Sequence, residues 1–247
     1  ILNNDDPELV ETGAPAYLLM IDSFISKNPE NKETLTTAAL LYSAYADLFV
    51  RDETRSKKMA HKALKYARKA ACLAKTNACG MQSLPFETFE KTLLLFGEKD
   101  LDTLFALGNA WAGWIIANKN DFNAIADLAH IEAIMKHILF LDETYKDGAP
   151  YLYLGSLSSF LPPALGGRPE DGKKYFEKAM ELSAGRNLSA KVSYAKFYAR
   201  MVYDRELHDS LLTEVLDADP YVDGMTLLNV WAQKQARVLL DSAEDYF

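Results

Sequence analysis

Leu104-Phe105-Ala106-Leu107-Gly108-Asn109-Ala110-Trp111-Ala112-Gly113-Trp114 sets a large residue, a Leu-Gly pair and an aromatic at i, i+3, i+4 and i+7. That spacing brings Leu104, Leu107, Gly108 and Trp111 onto one face of a helix. Glycine in mid-helix costs about 1 kcal/mol against alanine, so Gly108 and Gly113 both require a reason. The expected reason is close approach, with a partner helix or a ligand pressing where a Cβ would stand.

Near-copies of the frame lie on both sides of it, and the spacing matches the first helix of a tetratricopeptide repeat. Upstream, Ala38, Leu41, Tyr42 and Tyr45 repeat it with Tyr in the glycine position. Downstream, Tyr151, Leu154, Gly155 and Ser158 repeat it 47 residues on. Second-helix frames accompany these. Ala63, Ala67 and Ala70 supply one, and Gly172, Phe176 and Ala179 another. Val192, Ala195 and Ala199 open a last copy that Leu212 and Val215 continue, with Pro220 in the closing position. Helix stops fall at Asn28-Pro29, Gly97 and Asp147-Gly148-Ala149-Pro150. No stretch alternates as a strand does. The expectation is an all-α chain of about eleven helices, in irregular tetratricopeptide-like helix pairs forming a compact superhelical array. It is expected as one domain over 1–247, with repeat-like units at 32–78, 98–141, 149–183 and 188–220 and extra helices at 7–28, 84–96 and 222–246.

With 247 residues, 49% hydrophobic, the chain can bury a full core. A net charge of −8 argues against nucleic acid and against an anionic membrane face, which both attract basic surfaces. The basic stretch from Glu53 to Thr76 therefore reads as a solvated helix face over an inner face of Ala60, Ala63, Ala67, Ala70, Ala71 and Ala74. No apolar run reaches the roughly 18 residues of a membrane span. Ile1 is not a methionine, so a removed targeting segment is compatible with the start, and Ile1–Asp6 reads as linker. Cys72 and Cys79 are the only cysteines. On a continuous helix their Cα atoms would stand about 10 Å apart, too far for a disulfide, whereas a helix ending near Asn77 would permit one. Two small, near-buried thiols are expected.

Gly167-Arg168-Pro169-Glu170-Asp171-Gly172-Lys173-Lys174 nearly satisfies the phosphate-loop pattern but fails its context. The Mg²⁺-binding hydroxyl is replaced by Lys174, Glu170 and Asp171 would repel phosphate, and no strand precedes. Pro169 reads as a helix first turn and Gly172 as a small packing position. His130 and His137, seven residues apart on one helix, stand about 10 Å from each other, too far to share a zinc ion. No motif for a nucleophile, a catalytic metal or a cofactor appears, and no catalytic residue, metal site or cofactor is expected.

Aromatics are the more informative set. Tyr42, Tyr45, Trp111, Trp114, Tyr194 and Tyr198 fall on first helices of the repeats, where they either line a groove or channel or fill the core between helices. Asn109 beside them is a candidate polar group facing a cavity. The loop Pro162-Pro163-Ala164-Leu165-Gly166-Gly167-Arg168 reads either as a shaped rim or as a simple connector. The candidate ligand- or partner-binding set is Tyr42, Tyr45, Asn109, Trp111, Trp114, Pro162, Gly166, Gly167, Tyr194 and Tyr198.

Several runs resemble one family. They are Pro7-Glu8-Leu9-Val10-Glu11-Thr12-Gly13-Ala14-Pro15-Ala16-Tyr17, Leu40-Leu41-Tyr42-Ser43-Ala44-Tyr45, Asn109 to Trp114, Leu161 to Gly167, Ser183 to Leu188, and Thr226-Leu227-Leu228-Asn229. Together they resemble the T-component proteins of tripartite ATP-independent periplasmic (TRAP) transporters over nearly the whole chain. The resemblance implies a non-enzymatic periplasmic lipoprotein, tethered through a lipidated cysteine that this chain lacks. It implies binding of the transporter's solute-binding P-component, a small hydrophobic or organic-acid ligand, and a homo-oligomer, as a trimer. The rival reading is a peptide-binding tetratricopeptide scaffold that handles no small ligand.

Overall fold

Helices carry the chain from Pro7 to Tyr246, and no strand interrupts them among the described residues. The computed structural model describes residues 1–247 except the side chains of Phe122 and Asn123. In order the helices are α1 (Pro7–Lys27), α2 (Lys32–Phe49), α3 (Glu53–Ala74), α4 (Phe86–Leu93), α5 (Leu101–Ala117), α6 (Phe122–Ala126) and α7 (Leu128–Leu141). They continue as α8 (Tyr145–Ser158), α9 (Pro169–Leu182), α10 (Leu188–Ser193), α11 (Arg205–Asp217), α12 (Thr226–Asp241) and α13 (Ala243–Tyr246). The fold is all-α, as the period of the apolar residues indicates. Side-chain caps start several helices. Asn31 accepts from the Thr34 N–H at 2.7 Å before α2, and Asp52 from the Arg55 N–H at 2.7 Å before α3.

Contacts divide the chain into two compact units, Glu11–Glu143 and Ile1–Val10 with Thr144–Phe247. In the first, α2 and α3 form a helix pair on which α5 packs, and α7 packs on α5. The alanine face of α3 permits this closeness, with Ala60, Ala63, Ala67, Ala70 and Ala71 all buried. Gly108 has the expected reason. A Cβ there would meet Met135 Cε at 2.5 Å and Ile134 Cγ2 at 3.2 Å, so α7 rests on the bare backbone of α5. Gly113 does not, since a Cβ there would meet nothing within 4 Å.

In the second unit α8 and α9 form the matching pair. A Cβ on Gly155 would stand 2.8 Å from the Phe176 ring, and one on Gly172 would run into Ser159 Oγ. Gly172 is thus a packing position on a helix, as the failed phosphate-loop context implied. The boundary at Asp147-Gly148 is a run of three left-handed residues, Lys146, Asp147 and Gly148, after which α8 becomes regular. α10 passes without a break into a π-helical turn, Tyr194–Ala199, a feature that i, i+4 periodicity does not announce.

Two expectations are corrected. Cys72 and Cys79 are not free thiols but a disulfide with Cα atoms 4.4 Å apart. α3 ends at Ala74 and a 3₁₀ turn over Thr76–Ala78 doubles the chain back, which removes the separation a continuous helix would impose. The Ile1–Asp6 segment is not a free linker. Leu2 O accepts from the Leu227 N–H at 2.9 Å, the Asn3 amide reaches Asp223 at 2.6 Å, and the Tyr221 hydroxyl reaches Asp5 at 3.0 Å.

Candidate functional site

The aromatic frame of α5 ends at an interior cluster in the first unit. Trp111 is fully buried and its indole N–H donates to Asp127 Oδ2 at 3.0 Å, in the link between α6 and α7. His130, one turn into α7, stacks on the indole with centroids 5.1 Å apart and planes 23° apart. Phe89 of α4 meets His130 edge-on at 4.5 Å, and Phe86 does so at 5.4 Å. From α3, the Arg68 guanidinium sits 5.3 Å from the Trp111 ring centre, a cation–π contact. Among the described residues, neither ring nitrogen of His130 has a hydrogen-bond partner, and neither has Arg68 Nε. The nearest carboxylate oxygen to His130, Asp127 Oδ1, is 3.8 Å from Nδ1. Burial pushes the His130 pKa below its ordinary value, against the pull of Asp127, so the ring is neutral near pH 7. Burial also lowers Arg68, again opposed by Asp127, but the guanidinium remains charged.

A second polar group joins α1, α2 and α3 in the same unit. The Asp22 carboxylate accepts from the hydroxyls of Tyr42 and Tyr66, each at 2.7 Å, and from Lys62 Nζ. Lys62 also donates to the Tyr42 hydroxyl at 2.9 Å and stands 4.6 Å over its ring. Burial raises Asp22, but its bonds from Lys62, Tyr66 and Tyr42 outweigh that and leave its pKa below the ordinary value. Burial and the bond to Asp22 push the Tyr66 hydroxyl up to about 12. The group is a closed network around one ion pair, and two of its members, Tyr42 and Lys62, line an open cavity of about 450 Å³ together with Met59.

Of the sequence candidates, Tyr45, Trp111, Tyr194 and Tyr198 are buried in packed interior, Tyr42 is buried at the wall of that cavity, and Asn109 and Trp114 are half-buried. Pro162 and Gly166 are exposed on the α8–α9 connection. Its Gly167 lies against the Leu161 carbonyl, and Arg168 N–H returns to Ser158 O at 2.7 Å. Tyr42, Tyr45, Asn109, Trp111 and Trp114 belong to the first unit, the others to the second. Tyr194 stacks on Phe176 and meets Tyr198 at a 48° tilt within the second core, and the two hydroxyls face Glu177 and Glu170 of α9, each at 3.4 Å. Sequence reasoning missed Asp22, Lys62, Tyr66, Arg68, Asp127 and His130. The i, i+3 spacing of Asp127 and His130 at a helix start was an available signal. Nothing local couples them to Arg68, 59 residues before Asp127.

Among the described residues, no helix is long and apolar enough to cross a membrane. A family model, that of the TRAP transporter T-component, matches residues 3–247. No curated protein matches the chain.

Proposed function

The chain belongs to the TRAP transporter T-component family, and from that premise we propose a non-enzymatic accessory protein that binds the transporter's solute-binding P-component. The observation that carries this reading is the family match across both units. A periplasmic site of action is supported by the Cys72–Cys79 disulfide, since such bonds persist in oxidising compartments and are rare in the cytosol. Attachment through a lipid anchor, in the manner the family resemblance implies, is part of the same reading.

A small organic-acid ligand is favoured over a purely hydrophobic one by Arg68. Half-buried and in no ion pair among the described residues, it lies over Trp111, where burial disfavours its charge and Asp127 offsets that only in part. Trp114, half-buried, is the more accessible tryptophan of α5. Homo-oligomerisation, as a trimer, is supported by the outer face of α1. Tyr17, Met20 and Phe24 are each about half exposed there, and Gly13 and Ala16 on the same face let a second backbone approach. In cells lacking this protein, uptake through the cognate TRAP transporter should fall and return on complementation. Unchanged uptake would contradict the role.

A further inference from the structure

α3 carries a charge opposite to the rest of the molecule. Between Glu53 and Ala74 stand seven Lys or Arg and one Glu, a local +6 in a chain whose net charge is −8. Arg55, Lys58, Lys62, Lys65 and Lys69 follow one another at steps of three and four, so they form a single row along the outer face, about 21 Å long. All but Lys62 are exposed. Lys62 is held by Asp22. Among the described residues, none of Arg55, Lys58, Lys65 and Lys69 is in an ion pair.

This arrangement differs from the other surface helices. Lys91, Lys136, Lys178 and Arg205 each meet a carboxylate three or four places away on their own helix. On α3 the residues three or four away from Lys58, Lys62, Lys65 and Lys69 include no acid. Neighbouring cations at these spacings lie within a Debye length and repel, so the row is held at a cost to the helix. A solvated face needs no such arrangement. Mixed signs would solvate equally well.

We propose that the outer row of α3 is the docking surface for an acidic protein surface, and that this is how the chain engages the P-component. The inference rests on the reading that a P-component is bound, and adds the face and the chemistry. Charge complementarity selects an acidic partner, which the rest of this chain, at −14, would repel. A protein is favoured over an anionic membrane by two features. First, the row ends at the 450 Å³ cavity, whose apolar floor of Tyr42 and Met59 and rim of Arg55, Lys58 and Lys62 suit a protruding side chain. Asp52, which caps the Arg55 N–H, also lines it, so the rim carries three cations to one carboxylate. Second, α3 itself exposes no Phe, Tyr or Trp beside the row to enter a lipid layer.

The test uses the whole chain, its cognate P-component and the variant Lys58→Glu/Lys65→Glu/Lys69→Glu, with Lys58→Gln/Lys65→Gln/Lys69→Gln as a neutral control. Circular dichroism and melting establish that the variants fold. The expected result is a Kd weakened about tenfold or more by reversal, less by neutralisation, and a wild-type affinity that falls as salt rises. Reversal without effect on Kd overturns the docking face while leaving the P-component reading intact. Wild-type protein that binds no P-component overturns both. Capture by phosphatidylglycerol vesicles that reversal abolishes, with P-component binding untouched, assigns the row to membrane and also overturns the inference.

Discussion

Pro15 has no N–H to give Glu11, so α1 carries an unmet carbonyl in its interior, and the Tyr45 hydroxyl of α2 supplies the bond at 3.3 Å. Tyr45, one of the candidate groove-lining aromatics, thus repairs a neighbouring helix. Tyr45→Phe should cost about 1 kcal/mol by denaturant unfolding. In a Pro15→Ala background, where the residue 15 N–H takes over, the same change should cost less. Equal costs in the two backgrounds would show that the hydroxyl does not serve that carbonyl. Trp111 and Tyr198 obey the same logic. Both are buried, so truncating either removes core before it removes any ligand contact.

At the level of helices, the two glycines of α5 separate a packing position from an idle one. Gly108→Ala should destabilise by up to about 1 kcal/mol, because Ile134 of α7 must move along with the flexible end of Met135 and this outweighs the gain in helix propensity. Gly113→Ala meets open space and should stabilise by about 0.5–1 kcal/mol through helix propensity and the unfolded chain. Thermal melts of the two single variants decide it, and shifts of the same sign would refute the assignment. The repeat frame was legible because Leu104, Leu107, Gly108 and Trp111 record a helix–helix contact in their spacing, as Gly155 and Phe176 do for α8 and α9. Other features left no such record. The π-helical turn at Tyr194–Ala199 is chosen by tertiary packing, since its residues would serve an ordinary helix equally well. The disulfide depended on where α3 stops, and boundaries carry weaker signals than periodicity. The cluster of Arg68, Trp111, Asp127 and His130 joins α3, α5 and α7, so no window of sequence contains it.

For the whole molecule the governing facts are a family match over 3–247 and an uneven charge. An acidic chain that concentrates its basic residues on one outer helix is suited to holding a partner of like overall sign in one orientation. The disulfide, at the far end of that same helix, tethers its last turn to the 3₁₀ segment beyond it. Arg68, on the border of α3 toward α5, ties the docking helix to the interior cluster. The most direct measurement is sedimentation velocity of the purified chain mixed with its cognate P-component at low salt. A T-component role predicts a new, faster boundary that grows with concentration through the micromolar range, a binding free energy near −8 kcal/mol. Two boundaries that stay independent up to about 100 μM would contradict it.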